Sequence, residues 1–130
     1  MAPARLLAID EDATYLDMVA ALLAEEGYDG AVCRLGTRAF ETIQQAQPAL
    51  ILLDIHGPHG NGGWQLLASI RADTRTATIP VLICSTDHRL RNAHADCLRV
   101  YRCDLLEKPF MLDDLVTKVA AILSAHSGLA

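Results

Sequence analysis

Two short runs in this chain, Ala49–Leu53 and Ile79–Cys84, are apolar almost throughout. They constrain the fold more than any other feature. A strand with no polar alternation must be covered on both faces, which is the situation of a central strand in a parallel sheet flanked by helices. Three further runs read as strands: Ala4–Ile9, Ala31–Cys33 and Asp104–Leu106. The second and fifth carry less apolar character and are expected to be shorter or more exposed.

Segments of helical period separate the runs. Leu16, Val19, Leu22 and Leu23 mark the first and Gly27 closes it. Phe40, Ile43 and Ala46 mark the second, closed by Pro48. Trp64, Leu67 and Ile70 mark the third; Leu90, Ala93, Cys97 and Leu98 mark the fourth. Leu112, Leu115, Val116, Val119, Ile122 and Leu123 form the clearest stripe, with Asp113 and Asp114 in the first turn, where the helix dipole favours negative charge. Strand–helix alternation with short connections gives a (βα)5 α/β fold, a doubly wound five-stranded parallel sheet in the flavodoxin-like order 2-1-3-4-5. The 130 residues fit a single domain, 1–130, with a core over about 4–124 and a tail, 125–130, expected to fray.

Bulk properties exclude several function classes. Hydrophobic residues make up 52% of the chain, enough for a real core. The net charge of −5 and scattered basic residues argue against nucleic-acid binding by this domain. No window approaches a membrane span, and Met1–Ala8 does not read as a signal peptide. The four cysteines form no CxxC pair, so reduced, mostly buried thiols in a cytoplasmic protein are expected. His56 and His59 lie in a Gly-rich loop, where solvated histidine is the ordinary reading.

In open α/β sheets, ligands bind beyond the carboxyl ends of the strands. The first run is followed by Asp10, Glu11 and Asp12, the third by Asp54, the fourth by Ser85 and Thr86, and the fifth by Lys108-Pro109. The strand order brings these groups to one rim. Carboxylates gathered at one point repel unless a cation joins them, and an all-oxygen donor set suits Mg2+. A carboxylate beside Mg2+, an ammonium and a hydroxyl can attack a phosphorus centre. Each residue also has a plainer role: Asp12 as the N-cap of the first helix, Asp54 as a loop-initiating Asp, Ser85 and Thr86 as caps or turn residues, Lys108 as a surface lysine. Joint placement at one sheet edge favours the chemical reading.

Over roughly Arg5 to Leu123 the sequence resembles the receiver domains of two-component response regulators. LLAIDED is similar to the family's first strand with its acidic pair, LILLDIHGP to the phospho-acceptor strand, IPVLICST to the strand bearing the hydroxyl switch residue, and LLEKPF to the Lys-Pro-Phe signature. The resemblance implies a phosphorylation-dependent signalling switch rather than a turnover enzyme. Asp54 would accept a phosphoryl group from a sensor histidine kinase or phosphotransfer protein. Glu11, Asp54 and the backbone carbonyl of His56 would bind Mg2+, with Asp10 orienting metal-bound water. Ser85 and Lys108 would contact the phosphoryl oxygens. Ser85 and Leu105, the latter at the aromatic switch position, would remodel the face of helix four, strand five and helix five for a downstream protein target. A monomer or weak homodimer is expected.

Several positions depart from the family pattern. Gly57-Pro58 replaces Met-Pro, VYRCD replaces an Ala-Gly turn, and the loop GPHGNGGWQLL is one residue longer, so that Gly62 or Gly63 fills the family's Gly position. No output domain follows within these residues, which suits a stand-alone regulator or a receiver cut from something larger. Two other readings remain: a pseudo-receiver that binds without being phosphorylated, and a haloacid dehalogenase-like phosphatase using Asp10 and Asp12.

Overall fold

The computed structural model describes residues 3–36, 38–55, 61–85, 95–107 and 111–127. Strands β1 (Arg5–Asp10), β2 (Asp29–Arg34), β3 (Leu50–Asp54), β4 (Val81–Ser85) and β5 (Asp104–Glu107) form one parallel sheet in the order β2-β1-β3-β4-β5. Among the described residues the helices are α1 (Ala13–Glu25), α2 (Ala39–Ala46), α3 (Asn61–Ala72), α4 (Ala95–Val100) and α5 (Leu112–Ser127). The architecture is the doubly wound α/β fold that the sequence pattern predicts.

The two apolar runs are the central strands, and every residue of β3 and β4 is buried. Alternation along them feeds two cores. Leu6, Ala8, Leu50, Leu52 and Leu82 meet Leu16, Val19 and Leu23 of α1 and Leu115, Val119 and Ile122 of α5. Leu7, Ile9, Ile51, Leu53, Val81 and Ile83 meet Ala39 and Ile43 of α2 and Leu66, Leu67 and Ile70 of α3, with Leu98 of α4 packed alongside. Each fully buried aliphatic side chain contributes about 1.5–3 kcal/mol relative to exposure.

β2 and β5 are the sheet edges, which explains their weaker signals. β2 is nonetheless longer than its apolar run: it pairs with β1 over the six rungs from Arg5↔Asp29 to Asp10↔Arg34. An edge strand is held by backbone bonds on one side, and its exposed residues need not be apolar. Helix ends differ from expectation in detail. α1 ends in a turn where Gly27 adopts φ +89 and its N–H donates to the Ala24 carbonyl. α2 ends one residue before Gln47, which is itself in the left-handed region at φ 45 and precedes Pro48. Arg102, in the VYRCD segment that replaces Ala-Gly, is also left-handed at φ 56. α5 continues to Ser127, past Leu123 where its apolar stripe ends.

Packing separates the two candidate glycines. A Cβ on Gly63 would lie 2.8 Å from Cγ1 of buried Ile55, whereas one on Gly62 would meet only Leu35 Cδ2 at 3.9 Å. Gly63 is therefore the position where α3 must approach the residue after Asp54. Gly63→Ala is expected to lower stability by about 1–3 kcal/mol, the range for overpacking a tight core. Gly62→Ala should change it by less than about 1 kcal/mol, in either direction. Thermal melts of both variants check this, and equal melts would refute the distinction.

Candidate phosphoryl-acceptor site

β1, β3 and β4 run side by side, so their carboxyl ends share one rim. Ile9 pairs with Leu53, and the next rung places Asp10 beside Asp54. By alternation both carboxylates leave the sheet on the α1/α5 side. Asp10 is 1% exposed and Asp54 2% exposed, although water would otherwise solvate both charges. Burial of this kind disfavours charge unless a compensating group is near.

The loop after β1 organises the acids locally. Asp10 Oδ1 accepts the backbone N–H of Glu11 and, at 3.3 Å, that of Asp12. Asp12 is the N-cap of α1: its Oδ1 accepts from the N–H of Thr14 at 2.9 Å and of Tyr15 at 3.3 Å. Glu11 is exposed, and its carbonyl accepts Nη2 of Arg34 at 3.1 Å. Thus Asp10 is turned inward, Asp12 serves the helix, and Glu11 stands at the rim.

Ser85 is the last residue of β4 and is fully buried. It sits within the strand. Alternation places it on the α2–α4 side, two residues on from Ile83, which pairs with Leu105. Leu105 is buried in that core, 9% exposed, with Leu98, Tyr101 and Cys103 packed against the same cluster. His56, Thr86 and Lys108 lie outside the described residues.

The structure therefore brings together Asp10, Asp54 and Ser85 at one edge, with Glu11 at its margin. Among the described residues no three His, Cys, Asp or Glu side chains form a ready-made metal cage. The donor set nonetheless fits Mg2+, which needs only one or two carboxylates and keeps several waters. Cys33, Cys84 and Cys103 are free thiols. Cys84 lies between Ile83 and Ser85, and burial pushes its thiol up to about 12. Tyr15, which lines a cleft with Cys84 and Asp54, was not marked by sequence reasoning: at position 15 it reads as one more residue of an amphipathic helix.

Comparison with known proteins gives a consistent picture. The family model for the response regulator receiver domain matches residues 6–120. The DNA-binding response regulator MtrA of Mycobacterium tuberculosis is 31% identical over 125 residues, which cover 92% of this chain and 50% of that protein. The DNA-binding dual master transcriptional regulator RpaA of Synechocystis is 32% identical over 125 residues, 92% of this chain and 48% of that protein. The chain thus spans about half the length of the curated relatives it matches. A putative response regulator from Chloroflexus aurantiacus superposes with a TM-score of 0.80 at 27% identity, covering 94% of this chain and 98% of that one. The Vibrio cholerae chemotaxis protein CheY4 shares the fold, with a TM-score of 0.81 at 22% identity over 93% and 99% of the two chains. With the strand order, the buried acids and the matched span all in agreement, the chain belongs to the response regulator receiver domain family.

Proposed function

We propose that this receiver domain takes a phosphoryl group on Asp54 and uses Mg2+ to do so. The observation that carries the reading is the placement of Asp54: a buried carboxylate ending the central strand, beside Asp10 on one neighbouring strand and within a residue of Ser85 on the other. The phosphodonor would be a sensor histidine kinase, a phosphotransfer protein or a small acyl phosphate. An Asp54 oxygen attacks phosphorus, the bond from phosphorus to the donor breaks, and the donor leaves with the electron pair. Mg2+, when bound, would offset negative charge on the transferring oxygens. Asp10 and Glu11 would hold it with Asp54 and the His56 carbonyl, while Ser85 and Lys108 would contact the phosphoryl oxygens. Intact-mass measurement after treatment with acetyl phosphate, with and without Mg2+, tests the reading: one added phosphoryl mass is expected only with the metal.

Glu11 is the acid that most needs a functional explanation, because it neither caps a helix nor enters the core. Glu11→Ala is expected to weaken Mg2+ binding by roughly tenfold, about 1.4 kcal/mol, at little cost to the fold. Titration followed by Trp64 fluorescence reads this, since Trp64 stands in α3 next to Gly63. Equal affinity in both proteins would refute Glu11 as a ligand.

The output surface follows from Ser85 and Leu105 facing the same core. Movement of the Ser85 hydroxyl toward a phosphoryl group would free space that Leu105, packed nearby on the next strand, can fill. Leu lacks a hydroxyl, so packing alone separates its rotamers, and because Leu105 is already buried its further burial is worth only a small part of the roughly 1.5–3 kcal/mol of a whole leucine side chain. A full switch between two states needs about 5.5 kcal/mol, so a bound target would supply the rest. Val100 of α4 and Met111 and Leu112 beside or within α5 are large exposed apolar side chains flanking β5, suited to a downstream protein.

A further inference from the structure

Tyr15 stands in the first turn of α1, half-buried against the sheet, and the chemistry above gives it no role. Its ring closes one wall of a cleft whose other walls are Ala8, Ile9, Val19, Leu52, Cys84 and Asp54 itself. The cleft leaves no space for a water-sized sphere. The Tyr15 ring and the Cys84 thiol line this cleft together, joining the start of α1 to the end of β4. Burial, helped by Cys84 and Asp10, pushes the phenol well above its ordinary value, so the Tyr15–Cys84 pair stays neutral in the physiological range. The side of Asp54 facing α1 is therefore floored by an aromatic ring and a thiol.

We propose that Tyr15 is a positioning residue that keeps water from the carboxyl side of Asp54, leaving an acyl phosphate there open to water only from the pocket mouth. The inference rests on Asp54 being the acceptor. An acyl phosphate has two electrophilic atoms. Water arriving at phosphorus forms a new P–O bond while the P–O bond to Asp54 breaks. The carboxylate leaves with the electron pair, a proton passes to solvent, and the water oxygen departs in inorganic phosphate. Water arriving at the carboxyl carbon forms a C–O bond while the C–O bond to phosphate breaks. Phosphate leaves with the electron pair, a proton again passes to solvent, and the water oxygen stays on Asp54. Tyr15 closes the second route. Removing its ring leaves a void lined by Ala8, Val19 and Leu52 but also by Asp54 and Cys84, which give an entering water the polar partners that an all-apolar cavity lacks.

The test phosphorylates wild type, Tyr15→Phe, Tyr15→Leu and Tyr15→Ala with acetyl phosphate and Mg2+, removes the donor, and chases in heavy-oxygen water. The Ala variant is expected to release phosphate about fivefold faster or more, with label retained on the Asp54 peptide. The Phe and Leu variants should keep the wild-type rate, with label only in phosphate. Label confined to phosphate in the Ala variant, or a Phe variant behaving like Ala, would overturn the proposal. Tyr15→Val repeats the measurement if the Ala variant does not fold. Alkylation mapped to the Cys84 peptide reads the floor without phosphorylation: faster labelling in Ala but not in Leu is expected, and equal protection in all variants refutes the floor. If even wild type takes no phosphoryl group, the acceptor assignment fails while the alkylation result still decides whether Tyr15 seals the cleft.

Discussion

Asp54→Asn is expected to abolish the phosphoryl mass that acetyl phosphate and Mg2+ add to the wild-type protein. The change is nearly isosteric, so the packing of β3 between β1 and β4 is retained. What disappears is the nucleophile, because a neutral amide does not form an acyl phosphate under these conditions. Stability moves the other way. Asp54 is almost completely buried beside Asp10, a second buried carboxylate. Neutralising one of them removes like-charge repulsion and the cost of desolvating a charge. The metal-free variant should therefore melt no lower than wild type, and loss of phosphorylation cannot be ascribed to unfolding. Asp10→Asn is the informative companion: it keeps the acceptor, so added mass should persist at a reduced rate. Undiminished phosphorylation of the Asp54→Asn variant would move the acceptor elsewhere.

The layered fold was readable because β3 and β4 are buried on both faces, so nearly every position carries an apolar residue. The edge strands were readable only in part. β2 mixes exposed and half-buried residues and includes Asp29, Gly30 and Arg34, and its length is set by backbone pairing with β1. The positions of Asp10, Asp54 and Ser85 followed from strand ends and strand order, and the structure places all three at one rim. Asp12 as a helix cap was equally legible, since capping is a local bond to the next turn. Other features depend on contacts that no local pattern encodes. The choice between Gly62 and Gly63 turns on one approach to Ile55. The left-handed backbone at Gln47 and Arg102 carries no glycine to announce it. Tyr15 acquires its neighbour Cys84 from β4, far along the chain, and only the folded sheet brings the two together.

Arg71 is a structural contributor that the sequence did not mark, and Arg71→Ala is expected to lower stability by about 3 kcal/mol. At the end of α3 its Nε donates to the Tyr101 carbonyl at 2.7 Å, and its Nη1 donates to the carbonyls of Ile79 at 2.6 Å and Ala77 at 3.2 Å. One guanidinium thus satisfies acceptors in the turn before β4 and in the turn before β5. Burial pulls its pKa below the ordinary value, but a guanidinium stays charged throughout the working range. Hydrogen bonds to a charged donor are worth about 1.5–3 kcal/mol each, but those sharing one side chain do not add fully. Thr76, fully buried nearby, donates to the Ile70 carbonyl at 2.6 Å and holds the same turn, so the loss of Arg71 should loosen the turn without dissolving it. Arg71→Lys should recover less than half of the loss, because a single ammonium cannot reproduce the planar fork. A fall in melting temperature of roughly 10 °C is the expected size for a domain of this length. Because these turns set where β4 and β5 begin, they also set how Ser85 and Leu105 lie against each other. The Ala variant should therefore show altered amide shifts along both strands even at temperatures where it remains folded. A melt and spectrum indistinguishable from wild type would mean that the two turns are held by their backbones alone.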